Sequence, residues 1–376
     1  MTKRFLAVGV LGFIVMGFMF SACKGKQGPA GPAGSATTII YVPVTETPVG
    51  TWFTSTATPT GTWLTSTPTF THSPTATMTP TTTPTSTPPA SFSTVWGTSG
   101  IGTGVVANSA GTSIYVCDSG YNRIEVYDGS GNFLFQWGTT GTGDGQFTLP
   151  NGIAMNSTGS RIYVADSSNN RVQVFNAIGG FITKWGSYGS GTSQFNVLTG
   201  IAVTSSETTV YVADYWNDRV EVFAGAGHPT LSTGTYITQI GSSGSANGQF
   251  VHPYGVAVNS AGTSIYVADR FNNRVQVFDN TGLYIMQWGT SGTGDGQFNM
   301  PTGVALSTDG SRVYVVDGNN QRVETFSASG LYLGKWGSQG TGTDQFISPD
   351  FISADSLGHL YVTDYSSNRV QMFTSQ

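Results

Sequence analysis

Six Asp residues recur at nearly even intervals in this 376-residue chain, and each is followed five positions later by an Arg. The Asp residues are Asp118, Asp166, Asp214, Asp269, Asp317 and Asp364, and the Arg residues are Arg123, Arg171, Arg219, Arg274, Arg322 and Arg369. Successive Asp residues lie 48, 48, 55, 48 and 47 positions apart. A period of this length, carried by strand-forming residues, marks an array of like supersecondary units that bury their faces against one another. Around Asp166 the sequence reads IYVADSSNNRVQVF, residues 162–175. Tyr, Val, Ile and Phe suit a pleated surface, and the Asp, Ser and Asn between them supply turn geometry. The stretch predicts two strands, 162–165 and 171–175, joined by a polar turn over 166–170.

One complete unit occupies residues 152–186. GIAMN (152–156) predicts a first strand and 161–165 a second, with STGS as the turn between them. The third strand is 171–175, NAIGG (176–180) is a turn, and 181–185 is the fourth strand. A Gly-rich loop over 186–191 then leads to Gln194 and Phe195 and the next unit. Four antiparallel strands form one twisted blade, and blades set radially cover one another's faces. The expected fold class is therefore all-β, a six-bladed β-propeller of four-stranded antiparallel blades. The last unit stops after its third strand, while a spare fourth-strand pattern, FSTVWG (92–97), precedes the first unit. Pairing of 92–97 with 369–373 would close the ring and cover an otherwise unpaired edge.

Composition agrees with many tight turns between strands: 51 residues are Gly and only 9% are charged. Residues 92–376 hold 11 Lys plus Arg against 19 Asp plus Glu, a formal charge of −8, which would repel a phosphate backbone. No nucleic-acid partner is expected. The two cysteines, Cys23 and Cys117, stand in settings too different for a disulfide framework. Cys117 takes the place of Ala165, Ala213, Ala268, Val316 and Thr363 in the other units and reads as a small buried residue.

The first ninety residues have another character. Lys3 and Arg4 precede an apolar run over 5–20, followed by Ser21, Ala22 and Cys23, so residues 1–22 read as a secretory signal peptide. Phe20, Ser21, Ala22 and Cys23 resemble a bacterial lipobox. That resemblance implies a diacylglycerol on Cys23 and cleavage before it. The other reading is an uncleaved anchor, since the apolar stretch is just long enough to span a bilayer. Residues 23–35 form the lipidated N-terminus with a collagen-like stub, Gly25, Gly28, Gly31 and Gly34, too short for a triple helix. Residues 36–91 are a Thr/Ser/Pro-rich stalk, expected to be disordered and biased to extended polyproline II. The propeller follows at 92–376. With the lipobox resemblance, this order implies a location in a bacterial cell envelope, with the chain held to the membrane by lipid and facing the periplasm or the exterior.

The repeated text YVAD-x-x-NNRV-x-V-F, the fourth-strand Trp-Gly and the GDGQF-x-x-P-x-G link resemble the NHL-repeat family. The Trp recurs as Trp96, Trp137, Trp185, Trp288 and Trp336, with Ile240 in the sixth place. The Gln-Phe pair recurs at 146–147, 194–195, 249–250, 297–298 and 345–346, and the resemblance covers about 285 residues. It implies a propeller resembling the extracytoplasmic NHL sensor domains of some bacterial receptor kinases.

A catalytic group is needed once, whereas a blade-building group is needed in every blade. The repeated Asp and Arg are therefore read as structural, the Asp accepting from turn N–H groups and the Arg pairing with a carboxylate. Function is expected where the symmetry breaks. The turns between second and third strands, with the long links that share their face, carry Tyr121, Tyr188, Tyr215, Trp216, Tyr254, Arg270, Phe271 and Tyr365. These residues are a candidate binding face for a protein or glycan partner. The competing reading is packing over the Gly-rich links.

The residues before the first-strand Gly, namely Thr103, Asn151, Thr199, Tyr254, Thr302 and Asp350, are expected at the channel mouth. Resemblance to NHL-like and gluconolactonase-like enzymes implies a divalent cation there, for which Asn151 and Asp350 are the candidate ligands. A hard cation wants more oxygens than these two supply. No other cofactor and no catalytic residue is predicted, and His228, His252 and His359 lack zinc spacing. The expected function is that of a membrane-anchored binding module, a scaffold or sensor. The alternative is a metal-dependent hydrolase or lyase of the lactonase or esterase kind. The short link between Trp96 and Gly104 predicts a notch beside the closing blade, and a seven-residue excess near 225–234 predicts a surface loop in blade three.

Overall fold

A computed structural model describes residues 90–98, 100 and 102–376 of the chain. The signal sequence, the lipidation site Cys23, the collagen-like stub and the stalk as far as residue 89 lie outside the described residues.

Six four-stranded antiparallel sheets follow one another around a ring. Blade one is built from Gly102–Ala107, Ile114–Asp118, Arg123–Tyr127 and Phe133–Trp137, running outwards from the axis. The innermost strands of blades two to six are Pro150–Met155, Leu198–Val203, Pro253–Val258, Pro301–Leu306 and Pro349–Ala354. Each innermost strand lies beside those of the two neighbouring blades, and that of blade six returns to that of blade one. Among the described residues no helix is long and apolar enough to cross a membrane.

The second and third strands are buried on both sides because both faces of a blade are covered. In Arg161–Asp166 every residue after the Arg is buried. The outermost strands alternate, as in Phe181–Trp185, where only one side meets a neighbour. The repeated Trp and Phe form the joints between blades. Trp137 and Phe147 leave blade one and meet Phe175 of blade two, with ring centroids 5.9 and 5.5 Å apart. Trp185 and Phe195 meet Phe223 in the same way at 5.5 and 5.7 Å.

The ring closes as the sequence predicts. Ala90–Gly97 is the outermost strand of blade six and pairs antiparallel with Arg369–Ser375, placing Trp96 opposite Val370. The closing strand begins two residues earlier than expected, so the last residues assigned to the stalk join the sheet. Trp96 is buried between Tyr127 of blade one, at 6.0 Å, and Tyr361 of blade six, at 6.3 Å.

Strand boundaries differ from the sequence reading by one or two residues: the first strand is Pro150–Met155 and the third Arg171–Asn176. Asp166 ends the second strand rather than opening the turn, because it pairs in register with Arg171. The turn itself is the short 3-10 segment Ser167–Asn169, closed by Asn170 at φ +51°. Asn122, Asp218, Asn273 and Asn368 hold the same left-handed conformation, which Asn and Asp tolerate better than most residues. The short first link leaves little open space beside its turn. Gly100 is buried there, and a Cβ on it would stand 2.3 Å from Asp118 Oδ1 and 2.5 Å from the Tyr121 ring. The extra residues of blade three form the loop between its third and fourth strands, Arg219–Ala224 and Tyr236–Ile240.

Candidate functional site

The repeated ion pair is a clamp on the link from the preceding blade. Arg171 Nε donates to Asp166 Oδ2 at 2.7 Å, and its Nη2 donates to the carbonyls of Gly143 and Gln146, both at 2.8 Å. Asp166 Oδ1 accepts from the Thr148 N–H at 2.8 Å. The same Asp–Arg bond spans 3.0 Å at Asp118–Arg123, 2.9 Å at Asp214–Arg219, 2.7 Å at Asp269–Arg274, 2.8 Å at Asp317–Arg322 and 3.2 Å at Asp364–Arg369. All six carboxylates are fully buried. Burial raises the carboxyls of Asp214, Asp269 and Asp317 from their ordinary value, while the N–H donors and the Arg pull them back. With its oxygens bonded within the clamp, none of these groups is presented to a ligand.

The symmetry breaks at the turns of blades three and four. Tyr215 stacks on His252 with centroids 4.6 Å apart and planes at 16°. Trp216 and Phe271 meet the same imidazole edge-on at 4.6 and 4.9 Å. His252 is held by its backbone N–H, which donates to Asp218 Oδ1 at 2.7 Å. Above this base Trp216 is 53% exposed and Phe271 44% exposed, so the aromatic surface faces solvent.

Beside that patch lies the mouth of the central channel. Five blades place Gly on the innermost strand so that neighbouring backbones touch: a Cβ on Gly152 would stand 2.1 Å from the Thr199 carbonyl oxygen, and one on Gly255 2.3 Å from that of Thr302. Blade six has Phe351 at this position. Its ring packs on Tyr254 of blade four, with centroids 5.4 Å apart. Tyr254 also packs on Tyr215 at 6.1 Å, and the guanidinium of Arg270 lies 4.7 Å above its ring. The Tyr254 hydroxyl donates to Asp350 Oδ2 at 3.2 Å and accepts from the Asn151 amide. Burial pushes the Asp350 carboxyl up to about 6, with Arg270 and the Tyr254 hydroxyl opposing the shift.

The structure divides the predicted face into three groups. Tyr215, Trp216 and Phe271 come together on blades three and four. Tyr254, Arg270 and Tyr365 line the channel mouth with Asn151 and Asp350, and Tyr254 is buried rather than exposed. Tyr121 and Tyr188 stand apart from both, 59% and 71% exposed, with Arg123 set 4.8 Å over the Tyr121 ring. Sequence reasoning missed His252 as the hub of the aromatic group, because it weighed histidines only as metal ligands. The signal was its place two residues before Tyr254.

Asn151 and Asp350 offer one amide oxygen and one carboxylate, and the Arg270 guanidinium opposes the upward shift of that carboxyl. Among the described residues no group of three His, Cys, Asp or Glu is placed to hold a metal.

The NHL repeat model matches residues 147–175, 250–278, 298–326 and 346–373. No curated protein matches the chain. Among solved structures, a structural genomics protein of unknown function from Bacteroides thetaiotaomicron VPI-5482 aligns with TM-score 0.58 at 18% identity, over 76% of this chain and 70% of that one. The β-propeller domain of Cps50 (Swd1) from Myceliophteria thermophila aligns with TM-score 0.52 at 11% identity, over 77% of this chain and all of that one. Kuenenia stuttgartiensis hydrazine synthase aligns with TM-score 0.50 at 10% identity, over 73% and 95%. At these identities the likeness is one of fold. Four of its segments match the NHL repeat, and its six four-stranded units build a six-bladed β-propeller.

Proposed function

We propose that this protein is an interaction module whose propeller presents the Trp216–His252–Phe271 surface to a protein partner. The observation that carries this reading is the solvent exposure of Trp216 and Phe271 on a base rigidly built from Tyr215 and His252. Large aromatic side chains fixed in place lose little freedom on association and are over-represented among residues that dominate binding energy. The acidic propeller around the patch would favour a partner of complementary charge.

The same proposal extends to the N-terminal segment: signal export, a lipid on Cys23 and a Thr/Ser/Pro stalk holding the propeller away from a bacterial membrane. The sequence pattern of residues 1–91 supports it. Incorporation of labelled palmitate into the full chain, lost in Cys23→Ala, is the expected result; labelling that persists in the variant would overturn the anchor.

The partner surface is tested by cross-linking on intact cells that express the full chain, followed by mass spectrometry. One reproducible partner should be cross-linked by the wild type and lost in both Trp216→Ala and Phe271→Ala, with melting temperatures unchanged. A partner retained by both variants would refute this placement.

A further inference from the structure

We infer that the channel mouth is a second binding site, separate from the aromatic patch, and that it takes a neutral sugar ring. The cavity has a volume of about 460 Å³ and is lined by Thr103, Asn151, Tyr254, Arg270, Thr302 and Asp350, with Ile347 and Tyr365 at its rim. That volume lies within the range of small-ligand sites. Tyr254, in its wall, is held by packing on Phe351.

The hydrogen-bonding groups in this cavity are not all used by the protein. Equivalent threonines elsewhere in the ring donate to backbone carbonyls: Thr103 to Pro150 at 3.0 Å and Thr199 to Tyr254 at 3.0 Å. Thr302 occupies the same position in blade five and is only 4% exposed, yet its hydroxyl has no partner. Asn151 Oδ1 and Arg270 Nε, also buried, are likewise without partners. Asp350 accepts one bond, through Oδ2 from Tyr254, although a carboxylate has room for several. Buried polar groups are normally satisfied, and several exceptions in one cavity point to a ligand that satisfies them together.

The chemistry of those groups selects the ligand. Asp350 and Asn151 Oδ1 need donors, whereas Arg270 Nε–H needs an acceptor and Thr302 takes either role. One carboxylate and one guanidinium leave the site close to neutral. An anionic ligand would face Asp350 and a cationic one Arg270, each at a desolvation penalty. Hydroxyl groups donate and accept at the same atom, and several on a rigid ring present both roles in fixed directions at low entropic cost. Tyr365, 41% exposed, and Ile347, 36% exposed, supply apolar surface for the C–H face of such a ring.

The test uses the full chain in detergent, with saturation-transfer NMR and calorimetry. The probes are glucose, galactose, mannose and N-acetylglucosamine, each as the free sugar and as the terminal unit of an oligosaccharide, with glucuronate and glucosamine as charged controls. At least one neutral sugar should bind more tightly than its charged analogue, and the two forms of probe tell a free sugar from a glycan end. Thr302→Val and Asp350→Asn should each weaken binding about tenfold, the scale of one hydrogen bond to a buried polar group. Trp216→Ala should leave sugar binding intact, so this site and the partner surface can fail independently. The inference is overturned if no neutral sugar binds at about 10 mM, the millimolar limit of a weak site. It is overturned equally if both variants melt like the wild type and bind as well.

Discussion

The side-chain oxygen of Asn170 accepts a hydrogen bond from the backbone N–H of Val197 at 2.9 Å, tying the turn of blade two to the residue that opens blade three. Both residues are left-handed, Asn170 at φ +51° and Val197 at φ +64°. The bond recurs where Asn122 accepts from the Leu149 N–H at 2.6 Å and Asn273 from the Met300 N–H at 2.9 Å, so it is part of how blades are joined. A β-branched residue is poorly suited to this conformation, which costs it roughly 1–2 kcal/mol. Val197→Asn should therefore raise the free energy of unfolding by about 1 kcal/mol, and Asn170→Ala should lower it by about the same amount. Denaturant titration checks both; a destabilised Val197→Asn would mean that side-chain packing outweighs backbone strain.

Closure through Trp96 should be worth several kcal/mol. Its ring is buried between the first and last blades, so Trp96→Ala leaves a cavity at the seam and should cost about 3–5 kcal/mol. Deleting residues 90–97 should lower the melting temperature further, because it also bares the edge of Arg369–Ser375. An unchanged melting temperature in the deletion would show that the ring holds without its clasp.

Within the clamp, Arg171→Ala strands the buried Asp166 carboxylate and should cost about 3–5 kcal/mol, whereas replacing both partners with apolar residues should cost less. A double-mutant cycle on the unfolding free energies measures the difference. Additive single effects would mean that the carbonyl contacts of the Arg, rather than the ion pair, carry the clamp.

Stability should fall as pH rises from about 4.5 to about 7, with Glu221 and Glu324 the main cause and Asp350, raised to about 6, adding to the lower part of that range. Blades two, four and six have Gln at the equivalent position. Gln173 Nε2 donates to the Gln146 carbonyl at 2.7 Å and to Asp166 Oδ2 at 3.1 Å. A carboxylate cannot make those bonds, and Glu221 Oε2 is buried without a partner. Burial raises both Glu carboxyls from 4.5 to about 7, with the nearby Arg opposing. Below pH 4.5 folded and unfolded chains are both protonated and there is no penalty. Between the two values the unfolded chain releases protons that the folded one keeps, so stability declines, and above about 7 it levels off. The shifts correspond to roughly 3 kcal/mol for each group. Glu221→Gln with Glu324→Gln should flatten this part of the profile and stabilise the protein at pH 8. An unaltered profile would assign the pH dependence to other groups.

The propeller was legible because its signals are repeated. A Trp, a Gln-Phe pair, an Asp and an Arg at fixed spacing each do the same work in several blades, so every copy confirms the others. Closure by the N-terminal strand was legible for a related reason, since the chain carries one fourth-strand pattern too many at its start and one too few at its end. The channel mouth was legible only in part. Asn151, Tyr254 and Asp350 stand out by departing from the threonines of the other blades. Thr302, by contrast, matches Thr103 and Thr199 in the sequence, and only its missing hydrogen bond distinguishes it. His252 was obscure because its neighbours come from other turns, and contacts between turns leave no periodic mark.

Since Ala90 lies opposite Ser375 on adjacent strands, the two ends of the ring are within reach of a short peptide linker. Joined there, the propeller would become a closed loop of chain that could be reopened at the tip of any outer hairpin. Where the polypeptide begins is then separable from the shape it folds into, and circular permutants opened in blades two to five should present the same face from a different point of attachment.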